Sequence, residues 1–163
     1  MKFLRHFLIA CVCLVPAQAS SATFTIPPDA KRLAVTIPDV LEPTDTLAGA
    51  EGASNETRAF YVDIEPLKAH ELKPAIDESV EILGQHGIMI DPESLKQNEG
   101  KINNLNAVDL SFTVISGKEK AAITLISTKP GDFFALVEFG SEEWLGNNAQ
   151  VVKSIRDSIK PAK

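Results

Sequence analysis

The sequence predicts an α+β fold, a mostly antiparallel sheet packed with two helices. Three observations carry this. Residues 32–37, 59–65 and 105–115 alternate apolar and polar side chains with the period of two of half-buried strands. Residues around 72–83 and 148–160 repeat apolar side chains at helical spacing. The strand-like runs of the second half follow one another instead of alternating with helices.

The chain opens on a secretory signal, residues 1–19. Lys2 and Arg5 form a basic start, Phe7 to Val15 a nine-residue apolar core, and Pro16 breaks it ahead of the small-residue pattern Ala17-Gln18-Ala19. Such a core is too short to span a bilayer as a helix, which needs about 20 residues. Leu8-Ile9-Ala10-Cys11 also fits a lipobox, with Cys11 lipidated, but Phe7 to Ala10 make a meagre core and the longer one ending at Ala19 fits better. Both cysteines, Cys11 and Cys13, lie in this leader, so the expected product is an exported, periplasmic, cysteine-free domain of residues 20–163.

Along that domain, Leu33, Val35 and Ile37 make the first strand, ended by Pro38. Residues 39–58 show neither period, and a connection of that length is uncommon unless functional or mobile. In 59–65, Phe60, Val62 and Ile64 face one way and Tyr61, Asp63 and Glu65 the other, predicting a strand with an acidic outer face. Leu72, Ile76, Val80 and Leu83 follow as a helix, with Pro74 tolerable in its first turn and Gly84 and Gly87 as candidate caps. Residues 95–101 carry a weak strand signal. Val108, Leu110, Phe112 and Val114 share a strand face, Gly117 sits in a turn, and Ala121 to Ile126 is the next strand. Lys129-Pro130-Gly131-Asp132 signals a tight turn into Phe133–Phe139, which is apolar on both faces except at Glu138 and so belongs centrally. The closing helix points Val152, Ile155 and Ile159 inward and Lys153, Arg156 and Lys160 outward.

Charge is lopsided. Residues 39–93 hold 13 acids against Arg58, Lys68 and Lys73, a net of −10, whereas residues 94–163 hold 8 acids against 9 bases, a net of +1. That disfavours nucleic acid and anionic membrane surfaces, which recruit Lys and Arg, and favours a basic protein partner or a bound cation. The candidate partner-binding residues are Glu42, Asp45, Glu51, Glu56, Tyr61, Asp63 and Glu65. No catalytic residue, metal site or cofactor is expected. After the leader only His70 and His86 remain, flanking the first helix as exposed or capping groups, and nucleophile-elbow, S-x-x-K and phosphate-loop motifs are absent; Ser116-Gly117-Lys118 reads as a hairpin turn. Paired carboxylates can run glycoside hydrolysis or hold calcium, but hydrolysis needs a desolvated acid, and apart from Tyr61 the sequence neighbours of Asp63 and Glu65 do not announce one. Trp144, the sole tryptophan, follows Glu142-Glu143 and is expected to pack the last helix on the sheet more than to anchor a partner.

Asn104 to Lys160 resembles the C-terminal half of the Mog1/PsbP-like fold. The matching features are Asn104-Leu105-Asn106-Ala107, two hairpin-linked strands, Phe133 to Phe139, then Trp144 and a closing helix carrying Ser154-Ile155 and Ser158-Ile159-Lys160. The resemblance implies a non-enzymatic protein, the fold serving Ran-binding factors, photosystem II extrinsic subunits and bacterial envelope proteins. The expected function is thus a non-catalytic periplasmic protein-binding domain, most concretely an immunity-type inhibitor of a basic secreted effector such as a cell-wall hydrolase. The alternative is an envelope-assembly or ligand- or calcium-binding protein of the same fold.

Overall fold

A computed structural model describes residues 20–54, 59–115 and 119–163. Two sheets form. A three-stranded sheet, in the order β1-β2-β10, joins Ser21–Ile26 (β1), Leu33–Pro38 (β2) and Lys160–Pro161 (β10). The larger sheet has seven strands in the order β3-β4-β5-β9-β8-β7-β6: Thr44–Asp45 (β3), Ala50–Ala53 (β4), Phe60–Pro66 (β5), Ile90–Ile102 (β6), Leu105–Val114 (β7), Glu119–Lys129 (β8) and Asp132–Ser141 (β9). Every pairing is antiparallel. The helices are Leu72–Gln85 (α1), Glu142–Asn147 (α2) and Ala149–Ser158 (α3).

The period-two runs decide which face each strand buries. Phe60, Val62 and Ile64 of β5 with Phe134 and Leu136 of β9 pack against Val35 and Ile37 of the small sheet and against Ile155 and Ile159 at the end of α3. On the opposite face Ala135 and Val137 of β9, with Ile123 and Leu125 of β8, pack against Ala75, Ile76, Ile82 and Leu83 of α1. The large sheet is therefore covered on both sides, and β9, fourth of seven strands, is apolar on both faces as its composition predicts. Gly131 takes φ +74 between β8 and β9, the left-handed corner the Pro-Gly turn calls for.

Several expectations need correction. Residues 39–53 are ordered: a 3-10 turn at Asp39–Leu41 leads into β3 and β4. The strand β4, Ala-Glu-Gly-Ala, lacks β-branched residues because its inner face has no room for them. A Cβ on Gly52 would lie 3.1 Å from Leu41 O and from Ile37 Cγ2, and one on Gly49 would lie 1.9 Å from Ile64 O. A strand at 21–26, missed in the sequence, pairs with β2 from Ser21↔Pro38 to Ile26↔Leu33. The weak signal at 95–101 belongs to β6, a 13-residue edge strand whose register shifts between Asp91 and Lys96. The last helix ends at Ser158, and α2 adds a third helix, capped by the Ser141 hydroxyl accepting from Trp144 N. Trp144 stacks on Phe60 with ring centroids 4.3 Å apart, in the packing role expected of it.

Arg156 does not point to solvent. Its Nη2 donates to Glu138 Oε2 at 2.6 Å, its Nε to the same oxygen at 3.0 Å, and its Nη1 to Asp109 Oδ1 at 3.3 Å, which also accepts from Thr124 Oγ1 at 2.6 Å. Glu138 is buried, so this acid of the central strand β9 is paired from α3.

Candidate functional site

The face of β5 opposite Phe60, Val62 and Ile64 is not an open acidic surface; α1 lies across part of it. Asp63 pairs in register with Glu51 of β4 and Val137 of β9, and Tyr61 with Ala53 and Phe139. Val137 belongs to the core beneath α1. Asp63 is consequently only 9% exposed, and Tyr61, Glu51 and Glu65 are half-buried.

The helix delivers the residue that closes this cluster. His86, the C-cap residue of α1, follows Ser79 and Ile82 at helical spacing; the residue is exposed overall, but its ring leans over the edge of β5 with the side chain 27% exposed. The His86 ring lies 4.5 Å from Tyr61 and 5.2 Å from Phe139, with Tyr61 and Phe139 5.0 Å apart. His86 Nε2 is 3.9 Å from Asp63 Oδ2, while Asp63 Oδ1 is buried without a hydrogen-bond partner. The Tyr61 hydroxyl donates to Glu51 Oε2, and Thr44 Oγ1 reaches Glu51 Oε1 at 3.4 Å. The expectation that His86 caps the helix end as an exposed residue holds; its ring contacts with Tyr61 and Phe139 are what the sequence did not announce. His70 is exposed, with Nδ1 2.8 Å from Gly131 O.

Burial dominates the electrostatics. It raises the Asp63 carboxyl to about 7, assisted by the charges of Glu65 and Glu51 and opposed by the Ile64 backbone hydrogen bond. The same desolvation, with the bond to Glu51 and the neighbouring carboxylates, drives the Tyr61 phenol far above its ordinary value, so it remains a donor. Glu65 is raised by burial and by Glu78, against the pull of Lys68; His86 is lowered by burial, against the pull of Glu51. The desolvated acid not expected from the sequence is therefore present, because α1 and β4 supply the cover.

Beside the cluster lies a cleft of about 360 Å³ lined by Ala48, Glu65, Lys68, Glu78, Glu81 and Gln85, among others. Glu78 is engaged there, accepting from the backbone of Lys68 at 3.0 Å and of Ala69 at 3.0 Å. Above it the β3–β4 hairpin is braced by Gly49 N to Thr46 Oγ1 at 2.8 Å and presents a fully exposed Leu47.

The sequence-predicted acids do not share one face. Glu51, Tyr61, Asp63 and Glu65 converge, whereas Asp45 pairs with Ala50 and thus belongs to the opposite side of the edge, and Glu42 is exposed in the left-handed region at φ 44 after the 3-10 turn. Glu56 lies outside the described residues. Among the described residues no three His, Cys, Asp or Glu side chains converge to hold a metal ion, and no helix is long and apolar enough to cross a membrane.

No family model matches the chain, and no curated protein matches it. Solved structures do. The solution structure of cyanobacterial PsbP (CyanoP) from Synechocystis sp. PCC 6803 superposes with a TM-score of 0.61 at 10% identity, covering 91% of this chain and 96% of that one. The chain has the PsbP fold. The similarity extends beyond the C-terminal half in which the sequence resembles it, to nearly the full length of both chains. At this identity the PsbP fold fixes architecture alone.

Proposed function

We propose that this chain is a non-catalytic, exported protein-binding domain that meets a basic partner with the acidic end of its large sheet, most concretely as an immunity-type inhibitor of a basic secreted effector. The observation that carries the reading is the cleft beneath the braced β3–β4 hairpin, where Glu65, Glu78 and Glu81 face a single lysine, Lys68, and Leu47 stands exposed alongside. An apolar anchor beside a negative cleft suits a partner that inserts a lysine or arginine side chain next to an apolar pocket. Burial weighs against catalysis. A general acid must come within about 3 Å of the group it protonates, and the Asp63 side chain is only 13% exposed, with Oδ1 buried.

The test is capture of partners from a periplasmic or culture-supernatant fraction by the mature domain, followed by binding kinetics of the purified partner. The charge reversal Glu65→Lys with Glu81→Lys should slow association about tenfold or more, and added salt should slow the wild type, since exposed charges are screened over about 8 Å at physiological ionic strength. Lys153→Glu with Lys160→Glu on the far side is the control; Arg156 is unsuitable because it neutralises buried Glu138. Loss of the partner in the control variant, with retention in the cleft variant, overturns the assignment.

A further inference from the structure

The contact between the end of α1 and strand β5 is built in a way that a purely structural contact does not require. A buried carboxyl with one unpartnered oxygen faces an imidazole at 3.9 Å, too far for a hydrogen bond, and the imidazole is held in place by two aromatic rings. We propose that Asp63 and His86 form a pH-operated latch, which seats the C-terminal turn of α1 on the sheet when Asp63 is protonated and loosens that turn when Asp63 ionises.

The surroundings set the direction. The titratable and charged groups facing Asp63 are Glu51 from β4, Tyr61 and Glu65 from β5, and His86 from the end of α1, with Glu78 of α1 and Lys68 of the preceding loop acting through Glu65; β9 contributes the apolar Val137 and Phe139. An ionised Asp63 therefore meets two like charges and a low-polarity cover. His86 supplies little counter-charge, because partial burial of its ring pushes the imidazole below its ordinary value, against the pull of Glu51. Neutral Asp63 removes the repulsion and leaves the His86 ring packed on Tyr61 and Phe139. Relief on ionisation comes most easily from the helix end. That turn is held by Gly87 N to Gly84 O at 3.0 Å and Ile88 N to Leu83 O at 3.0 Å, with Gly87 at φ +78. Lifting it would hydrate Asp63 without breaking the sheet.

This inference concerns the protein alone, so its test needs no partner and its failure leaves the binding proposal untouched. Hydrogen exchange of the amides of residues 83–88 is followed from about pH 5.5 to 8.5, corrected for the intrinsic rate, in the mature wild type and in Asp63→Asn, which mimics the neutral acid. In the wild type, protection should fall about tenfold or more across neutrality, with the amides of β9 unchanged. Asp63→Asn should hold its protection throughout. The ¹³C carboxyl resonance of Asp63 in the wild type should titrate with the same midpoint, and the ring resonances of Tyr61, the sole tyrosine, should report its changed contact with His86. Protection that does not vary with pH, an Asp63→Asn variant that keeps the transition, or a carboxyl that titrates below about pH 5 overturns the latch.

Discussion

At the scale of single residues, Asp63 is where sequence and structure diverge most in meaning. Its alternation with Val62 and Ile64 places it correctly on the face away from the main core, but alternation reports only which face, not what covers it. A folded-state carboxyl near 7 against an ordinary 3.8 means the native protein binds the extra proton between these values, so this group's contribution to stability is present at low pH and is lost as pH rises from about 4 to 7. One unit corresponds to about 1.4 kcal/mol, so the loss is on the order of a few kcal/mol at most. His86 acts in the other direction: its lowered value removes stability as pH falls below about 6.5. Denaturant unfolding of Asp63→Asn should accordingly show a flatter profile between pH 5 and 8 than the wild type, and greater stability at pH 8. A variant less stable than the wild type at pH 8 would show that Asp63 is held there as a useful charge.

At the scale of elements, α3 is fastened to the sheet by one guanidinium as well as by Ile155 and Ile159. Glu138 sits on central β9 with Oε1 unpartnered and Oε2 shared by two Arg156 nitrogens. Removing Arg156 strands a buried carboxylate, and breaking such a pair costs about 3–5 kcal/mol. Arg156→Ala should therefore destabilise strongly, while Arg156→Ala combined with Glu138→Gln should recover a large part of the loss, as thermal unfolding of the four members of the cycle would show. Equal destabilisation in single and double variants would mean that Arg156 matters through its packing alone. The elements legible in the sequence are those with a clear period or a continuous apolar run: β2, β5, β7, β8, β9, α1 and α3. The rest were hidden for physical reasons. β3 has two residues, too few for any period; β4 has a glycine at its centre, where Leu41 and Ile37 leave no room for a side chain; β6 is an edge strand with exposed polar residues along much of its length. Arg156 reads as outward on a helical wheel, and only the partner strand shows that a buried acid lies within its reach.

At the scale of the whole molecule, the charge imbalance along the chain becomes an imbalance in space. Residues 39–93, with their net of −10, supply β3, β4, β5 and α1, at one end and on one face of the large sheet, and the first residues of β6 at its other edge, while residues 94–163, with their net of +1, supply the rest of β6, β7 to β9 and α3. The candidate site was thus legible as a region but not as a set of side chains: the acids that line the cleft on α1, Glu78 and Glu81, belong to the same charged segment yet read as a solvated helix face. The start of the domain bears on the remaining prediction. Ser21 opens β1 opposite Pro38, and Ser20 O accepts from Asp39 N at 3.0 Å, tying the chain start to the 3-10 turn that leads into β3. Cleavage after Ala19 would leave this strand and its bond whole. The intact mass of protein recovered from the periplasm should therefore correspond to a chain starting at Ser20. A variant starting at Phe24 forfeits the Ser20 bond and the pairings Ser21↔Pro38 to Thr23↔Thr36, and should melt several degrees lower, since a loss of about 1 kcal/mol moves the midpoint of a domain this size by roughly 2–4 °C. Labelled palmitate recovered on Cys11 would instead leave residues 11–19 as a tether between membrane and β1, and would set the acidic cleft at a surface rather than free in solution.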